Sequence, residues 1–187
     1  MRIRLSIIIA ITTLALVVVG CSQADAPPAT ATTAPTPTPA KMFTSQAGGF
    51  SAAFPEDPQE DVQTLPTDVG EIEVHFLSLE RENAVYMIVY SDYPTDVVAQ
   101  SDPESMLNGA RDGAVSNVQG TLVSEEKITI DDHPGRGLKI TSSDGEATIY
   151  SNVYLVNNRL YQIMVVIPSS TNLSNEASNF LDSFKLI

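Results

Sequence analysis

Thr148-Ile-Tyr-Ser-Asn-Val-Tyr-Leu-Val-Asn-Asn-Arg-Leu-Tyr-Gln-Ile-Met-Val-Val-Ile167 reads as two strands joined at Asn157-Asn158. Asparagine tolerates the left-handed backbone that a tight hairpin needs, and the flanking β-branched and aromatic residues favour extended chain. Both runs are apolar on both faces. Ile149, Val153 and Leu155 alternate with Tyr150, Tyr154 and Val156, and Met164 and Val166 alternate with Ile163, Val165 and Ile167. Strands of this kind require cover on both sides.

Working backwards, Leu122–Ile130 and Gly137–Ser142 are strand-like, set apart by His133-Pro-Gly135 and followed by the turn Asp144-Gly145. Together with the hairpin they predict a four-stranded antiparallel meander. Further upstream, Val85–Tyr90 is apolar on both faces and reads as a central strand. Ile72, Val74 and Phe76 alternate with Glu71, Glu73 and His75, the pattern of a strand with one wet face. Phe50, Ala52 and Phe54 alternate after Gly48-Gly49, and Pro55 stops that run. The proline-dotted, acidic stretch Pro55–Gly70 is expected to be an irregular surface loop.

Two helices supply the cover. Ser101-Asp-Pro-Glu104 offers an N-cap, a first-turn proline and an acid placed for a capping box, and Met106, Leu107, Ala110, Ala114 and Val118 then share one face. Ser174 and Glu176 open a second, with Ala177, Phe180, Leu181 and Phe184 at i, i+3, i+4 and i+7. The predicted class is α+β: an antiparallel β-sheet of about six or seven strands covered by helices on both faces, an α/β/α sandwich. It occupies residues 43–187, a length that buries enough surface to fold without staples.

The N-terminus reads differently. Met1-Arg-Ile-Arg4 is basic, and Leu5–Val19 is apolar but shorter than the roughly 20 residues that span a bilayer. It leads to Val18-Val19-Gly20-Cys21, which resembles a bacterial lipobox: residues 1–20 a signal peptide, Cys21 the lipidation site. Several acyl chains on one residue anchor durably where a single chain does not. Cys21 is the only cysteine, so neither an intrachain disulfide nor thiol catalysis in the domain is available. Residues 21–42, built on Ser22-Gln-Ala-Asp-Ala-Pro-Pro-Ala-Thr-Ala-Thr-Thr-Ala-Pro-Thr-Pro-Thr-Pro-Ala40, have no apolar periodicity and read as a disordered tether. About twenty residues in extended polyproline form reach roughly 60 Å.

The formal charge is −13, and after residue 20 the chain holds 8 basic against 23 acidic groups. Such a surface repels phosphate backbones, so no nucleic-acid partner is expected.

The Gly49-Phe50-Ser51 strand ending in Pro55, the middle helix, and Asn158-Arg-Leu-Tyr-Gln162 followed by Phe180-Leu-Asp-Ser-Phe-Lys185 resemble the PsbP/Mog1/DcrB-like group. In that group a strand "G-x-L-Y-x-L" precedes a last helix closing with "SF". The resemblance implies an α/β/α sandwich, in a group that includes photosystem II extrinsic proteins, their cyanobacterial lipoprotein relatives and other envelope lipoproteins. This chain has no tryptophan, whereas the photosynthetic members commonly carry one beside the early proline, and it has no evident pair of metal-binding histidines.

Catalytic signatures are sparse. There is no G-x-S-x-G elbow, phosphate-binding glycine loop, H-E-x-x-H or EF-hand spacing. Asp131-Asp-His133 beside Arg136 could hold a divalent cation with further ligands, although a polar turn bent by Pro134-Gly135 is the simpler account. His75 reads as a solvated histidine, Tyr90 and Tyr93 beside Asp92 as a possible pocket rim, and Glu56, Asp57, Glu60 and Asp61 as a solvated loop. No catalytic residue, metal or cofactor is therefore assigned. The expected function is a non-enzymatic accessory or binding module for a protein partner or an apolar ligand. It would be exported and held by acylated Cys21 to lipid at the extracytoplasmic face of a bacterial membrane. The alternatives are a photosystem II-associated lipoprotein of PsbP type, or a weak metal-dependent hydrolase centred on Asp131, Asp132 and His133.

Overall fold

The computed structural model describes residues 41–67 and 70–187. Cys21 and the expected signal peptide, and nearly all of the expected tether, lie outside the described residues. The chain runs β1 (Lys41–Ser45), β2 (Phe50–Phe54), β3 (Gln59–Thr67), β4 (Gly70–Arg81), β5 (Ala84–Asp92), α1 (Thr95–Gln100), α2 (Pro103–Asn117), β6 (Thr121–Ile130), β7 (His133–Thr141), β8 (Ala147–Val156), β9 (Arg159–Pro168), α3 (Asn175–Asp182) and β10 (Lys185–Leu186). β1 starts two residues ahead of the expected domain boundary.

Seven strands form one antiparallel sheet in the order β3-β4-β5-β9-β8-β7-β6, so the deciding hairpin β8–β9 sits at its middle and the predicted meander is β9-β8-β7-β6. The fold is α+β. Its two covers are unequal. On one face α3 and a small sheet of order β1-β2-β10 close over a core of Phe50, Phe54, Tyr86, Ile88, Ile163, Val165 and Phe180. The expected all-helical cover is thus half sheet: β2 pairs with β1 and β10 and packs its alternating Phe50, Ala52 and Phe54 inward. On the other face α2 packs on β7 and β8 over Leu107, Leu138, Ile140, Ile149 and Val153.

The expected loop at 55–70 is a correction. Gln59–Thr67 forms β3, a regular partner of β4 from Gln59↔Ser78 to Thr67↔Gly70. Its prolines do not prevent this: Pro58 precedes the strand, and Pro66 lies on an edge strand, where a missing N–H is tolerated. A second correction concerns the β6–β7 turn. The bend falls on Asp131 (φ 43) and Asp132 (φ 66), both left-handed as a type I′ turn requires, while Pro134 and Gly135 lie within β7. Gly135 is required there because a Cβ would stand 2.5 Å from the Tyr154 ring and 2.5 Å from the Val153 carbonyl oxygen. α2 is capped by Asp102, which accepts from the Ser105 N–H (2.9 Å). Glu104, the expected capping-box acid, turns instead to Arg136 and Lys127.

Candidate binding face

The sequence candidates separate in space. Asp131 and Asp132 are exposed at the turn, and His133 begins β7 half-buried. Arg136, three residues on, emerges on the opposite face of β7, because side chains alternate along a strand. There it is buried under α2 and pairs with Glu104 and with Glu125 (2.9 Å), fixing the helix to β6 and β7. Among the described residues no three His, Cys, Asp or Glu side chains converge as a metal site would need.

His75 and Tyr90 are drawn together with two residues that sequence reading did not single out as functional, Arg159 and Tyr161. The His75 ring stacks parallel on Tyr90 at 4.4 Å, so it is half-buried and not solvated as expected. Arg159 lies over both Tyr90 (5.0 Å) and Tyr161 (5.9 Å) and forks onto Asp92 with two 2.6 Å bonds. It also donates to the carbonyls of Ala47 (2.9 Å) and Gly48 (2.8 Å), and the Tyr161 hydroxyl donates to the same Gly48 carbonyl (2.6 Å). Bonding to Arg159 holds the Asp92 carboxyl below its ordinary range, and Asp92 in turn raises the guanidinium. Desolvation raises both Tyr90 and Tyr161, keeping their hydroxyls neutral. Arg159, Asp92 and the Tyr161 hydroxyl are thus spent on fastening the β1–β2 turn to the ends of β5 and β9. The cluster is a lock. Its signal in the sequence is the pairing Asp92↔Arg159 across two strands, which becomes legible only once β5 and β9 are known to be neighbours.

The surface that stays open is on the α2 side. Burial alternates over most of β5 and β9: Tyr86, Ile88 and Tyr90 are buried while Met87 and Val89 are half-buried, and Ile163 and Val165 are buried while Met164 and Val166 are half-buried; Ser91, at the end of β5, is buried as well. The register sets Phe76 beside Val89, Met87 beside Met164, and Val85 beside Val166. α2 lies chiefly over β7 and β8; Met164 and Val166 reach its core from β9, and the apolar rank on β4, β5 and β9 continues beside it as a half-buried, partly accessible band. The band leads into a groove of about 400 Å³ bounded by Tyr93 and Val97, by Met106 and Gly109 of α2, and by Leu160 and Gln162 of β9. Tyr93 therefore borders a concavity, as expected. Nothing lies within 4 Å of where side chains would project at Gly109 and Gly113, so the helix wall is smooth.

A second, more polar trough of about 580 Å³ lies on the other face, floored by Gly137 and Asn152 and flanked by Glu126, Lys139, Tyr150 and Asp182.

No protein-family model matches the chain, and no curated protein matches it. Among solved structures it is similar to the solution structure of cyanobacterial PsbP (CyanoP) from Synechocystis sp. PCC 6803. The TM-score is 0.57 at 10% identity, covering 86% of this chain and 99% of that one. The fold is PsbP-like.

Proposed function

We propose that this protein is a non-enzymatic binding module, held at the outer side of a bacterial membrane through acylated Cys21, that engages a protein partner or an apolar ligand through the band Phe76, Val85, Met87, Val89, Met164 and Val166. The observation that carries it is the two-faced apolarity of β5 and β9, whose Met87, Val89, Met164 and Val166 stay half-buried beside a helix centred on β7 and β8. Contiguous accessible apolar surface is costly in water and marks interaction sites. Methionine, present twice at its centre, adapts to differently shaped partners. The chemistry of the rest of the domain points the same way, since Arg136, Arg159 and Asp92 are all engaged in structural pairs.

The test is crosslinking in the native membrane followed by mass spectrometry, comparing wild type with Met87→Lys/Met164→Lys. Lysine reaches solvent from these half-buried positions, so folding is retained. The partner or ligand recovered with wild type is lost from the variant; equal recovery, or no specific species from wild type, sinks the proposal. The intact mass of the mature protein tests the anchor separately, because it must begin at Cys21 and carry acyl chains. A photosystem II-associated role is the second reading, favoured by the likeness in fold to the cyanobacterial PsbP structure. It predicts that the crosslinked partner is a photosystem subunit.

A further inference from the structure

The two edges of the large sheet are managed differently. At one edge β6 carries a register irregularity between Leu122 and Ser124, and Glu125 and Lys127 tie it to α2 through Arg111 and Glu104. Bulges and engaged charges of this kind discourage further strand pairing. At the other edge β3 is nine residues long, exposed throughout, and keeps an unbroken register with β4, its one partner among the described residues. Val62 (52% exposed) and Leu65 (42%) stand on this strand without cover.

Pro66 tells which backbone groups face outward. It lies inside the ladder opposite Glu71 yet has no N–H, so its backbone faces away from β4. By the two-residue period Glu60, Val62 and Thr64 share that direction, each offering an N–H and a C=O to the outside. The ribbon is also acidic. Glu60 and Asp61 on β3, and Glu71 and Glu73 on β4, have no cation within ion-pair distance among the described residues, whereas Glu56 and Asp57 just before the strand are paired with Arg81 and Lys41.

We infer that the β3 edge is a docking site for an extended segment of a partner protein, rich in lysine or arginine with alternating apolar residues, which adds to the sheet as an eighth strand. Backbone hydrogen bonds at Glu60, Val62 and Thr64 supply the pairing, the apolar rank of the added strand covers Val62, and its basic rank meets Asp61 on the opposite face, with Glu60 adding to the negative field of the edge. A second copy of this chain is the poorer occupant, since it would bring a second unpaired acidic ribbon against the first and each chain carries −13. The inference deepens the binding-module reading by naming the chemistry of the partner. It uses a different surface from the apolar band, so Met87→Lys/Met164→Lys leaves it intact.

The probe is a capped peptide, Lys-Val-Thr-Val-Arg-Val-Lys, titrated into the full chain in detergent. Fluorescence anisotropy reports affinity, and hydrogen exchange read by mass spectrometry reports location. Expected are saturable binding, slowed exchange confined to residues 59–67, and at least a tenfold loss when alternate amides along one edge of the peptide are N-methylated. Val62→Pro, which removes an outward N–H while sparing the β4 ladder, gives a similar loss; Glu60→Lys/Asp61→Lys, checked for folding by circular dichroism, weakens binding severalfold. Equal affinity for the methylated peptide would reduce the effect to charge alone and overturn the inference. So would protection centred on residues 124–154, or self-association of the chain that Val62→Pro abolishes.

Discussion

The lock at Gly48 makes a quantitative prediction. Its carbonyl accepts from both the Tyr161 hydroxyl and Arg159, and Gly48 is buried. Tyr161→Phe removes one donor but leaves the other, so the carbonyl stays satisfied and the cost is about 1 kcal/mol, the net worth of one hydrogen bond. Arg159→Met keeps a linear apolar stem near the two rings and again leaves one donor. Its ion pair with Asp92, half-exposed at 50%, adds little because the carboxylate rehydrates, so the cost is about 1–2 kcal/mol. The double variant differs in kind. It orphans a buried acceptor, and the desolvation penalty of roughly 1–3 kcal/mol then appears for the first time. The double should therefore exceed the sum of the singles by more than about 1 kcal/mol, visible in urea unfolding followed by far-ultraviolet circular dichroism as a shift in midpoint at constant slope. Additivity within about 0.5 kcal/mol would refute the shared-acceptor reasoning. Unchanged stability in both single variants would remove the lock altogether and reopen the cluster as a ligand site.

Three further outcomes are expected. Asp92 has a folded pKa below its unfolded value, chiefly through the Arg159 hydrogen bond, so its contribution is present above the unfolded value and lost as pH falls through the folded one; the stability advantage of wild type over Asp92→Asn should shrink below about pH 4, near the ordinary aspartate value, in acid titrations of the unfolding midpoint. Gly135→Ala puts a methyl against the Tyr154 ring and a backbone oxygen, and should lower stability by about 1–3 kcal/mol while Gly145→Ala, with nothing within 4 Å, is limited to the cost of its left-handed backbone; matched urea curves check the order. Phe180→Ala empties a site with no exposure between Phe54 (4.7 Å) and Tyr86 (5.3 Å), and a loss of about 3–5 kcal/mol is expected, measured by the same curves.

What could be read from the sequence followed the strength of local periodicity. The meander, the central β5 and both long helices announced themselves through two-residue and 3.6-residue patterns that survive in the folded chain. β3 did not, because its side chains are exposed on both faces: no burial pattern exists to be read, and Pro58 and Pro66 pointed toward a loop. The Asp131-Asp132 turn was missed because Pro134-Gly135 is the louder signal, although two aspartates take the left-handed pair as Asn-Gly would. For the binding face, the sequence showed that β5 and β9 have two apolar sides, and helices were expected to hide both. Only the placement of α2 over β7 and β8, held there in part by Arg136, leaves one side accessible. That placement depends on pairing residues far apart in the chain, which periodicity cannot report.

The small sheet has a consequence for how the molecule is made. β2 is sandwiched between β1, its near neighbour in sequence, and β10, which arrives with the last residues of the chain. Phe50 and Phe54 are therefore sealed from water only when Phe180, Phe184 and the Lys185–Leu186 strand have been synthesised and have returned to them. Contacts of such separation form slowly. While the chain is growing, its first aromatic strand remains a sticky surface awaiting its final segment, and a chain cut short before residue 185 would keep that surface exposed.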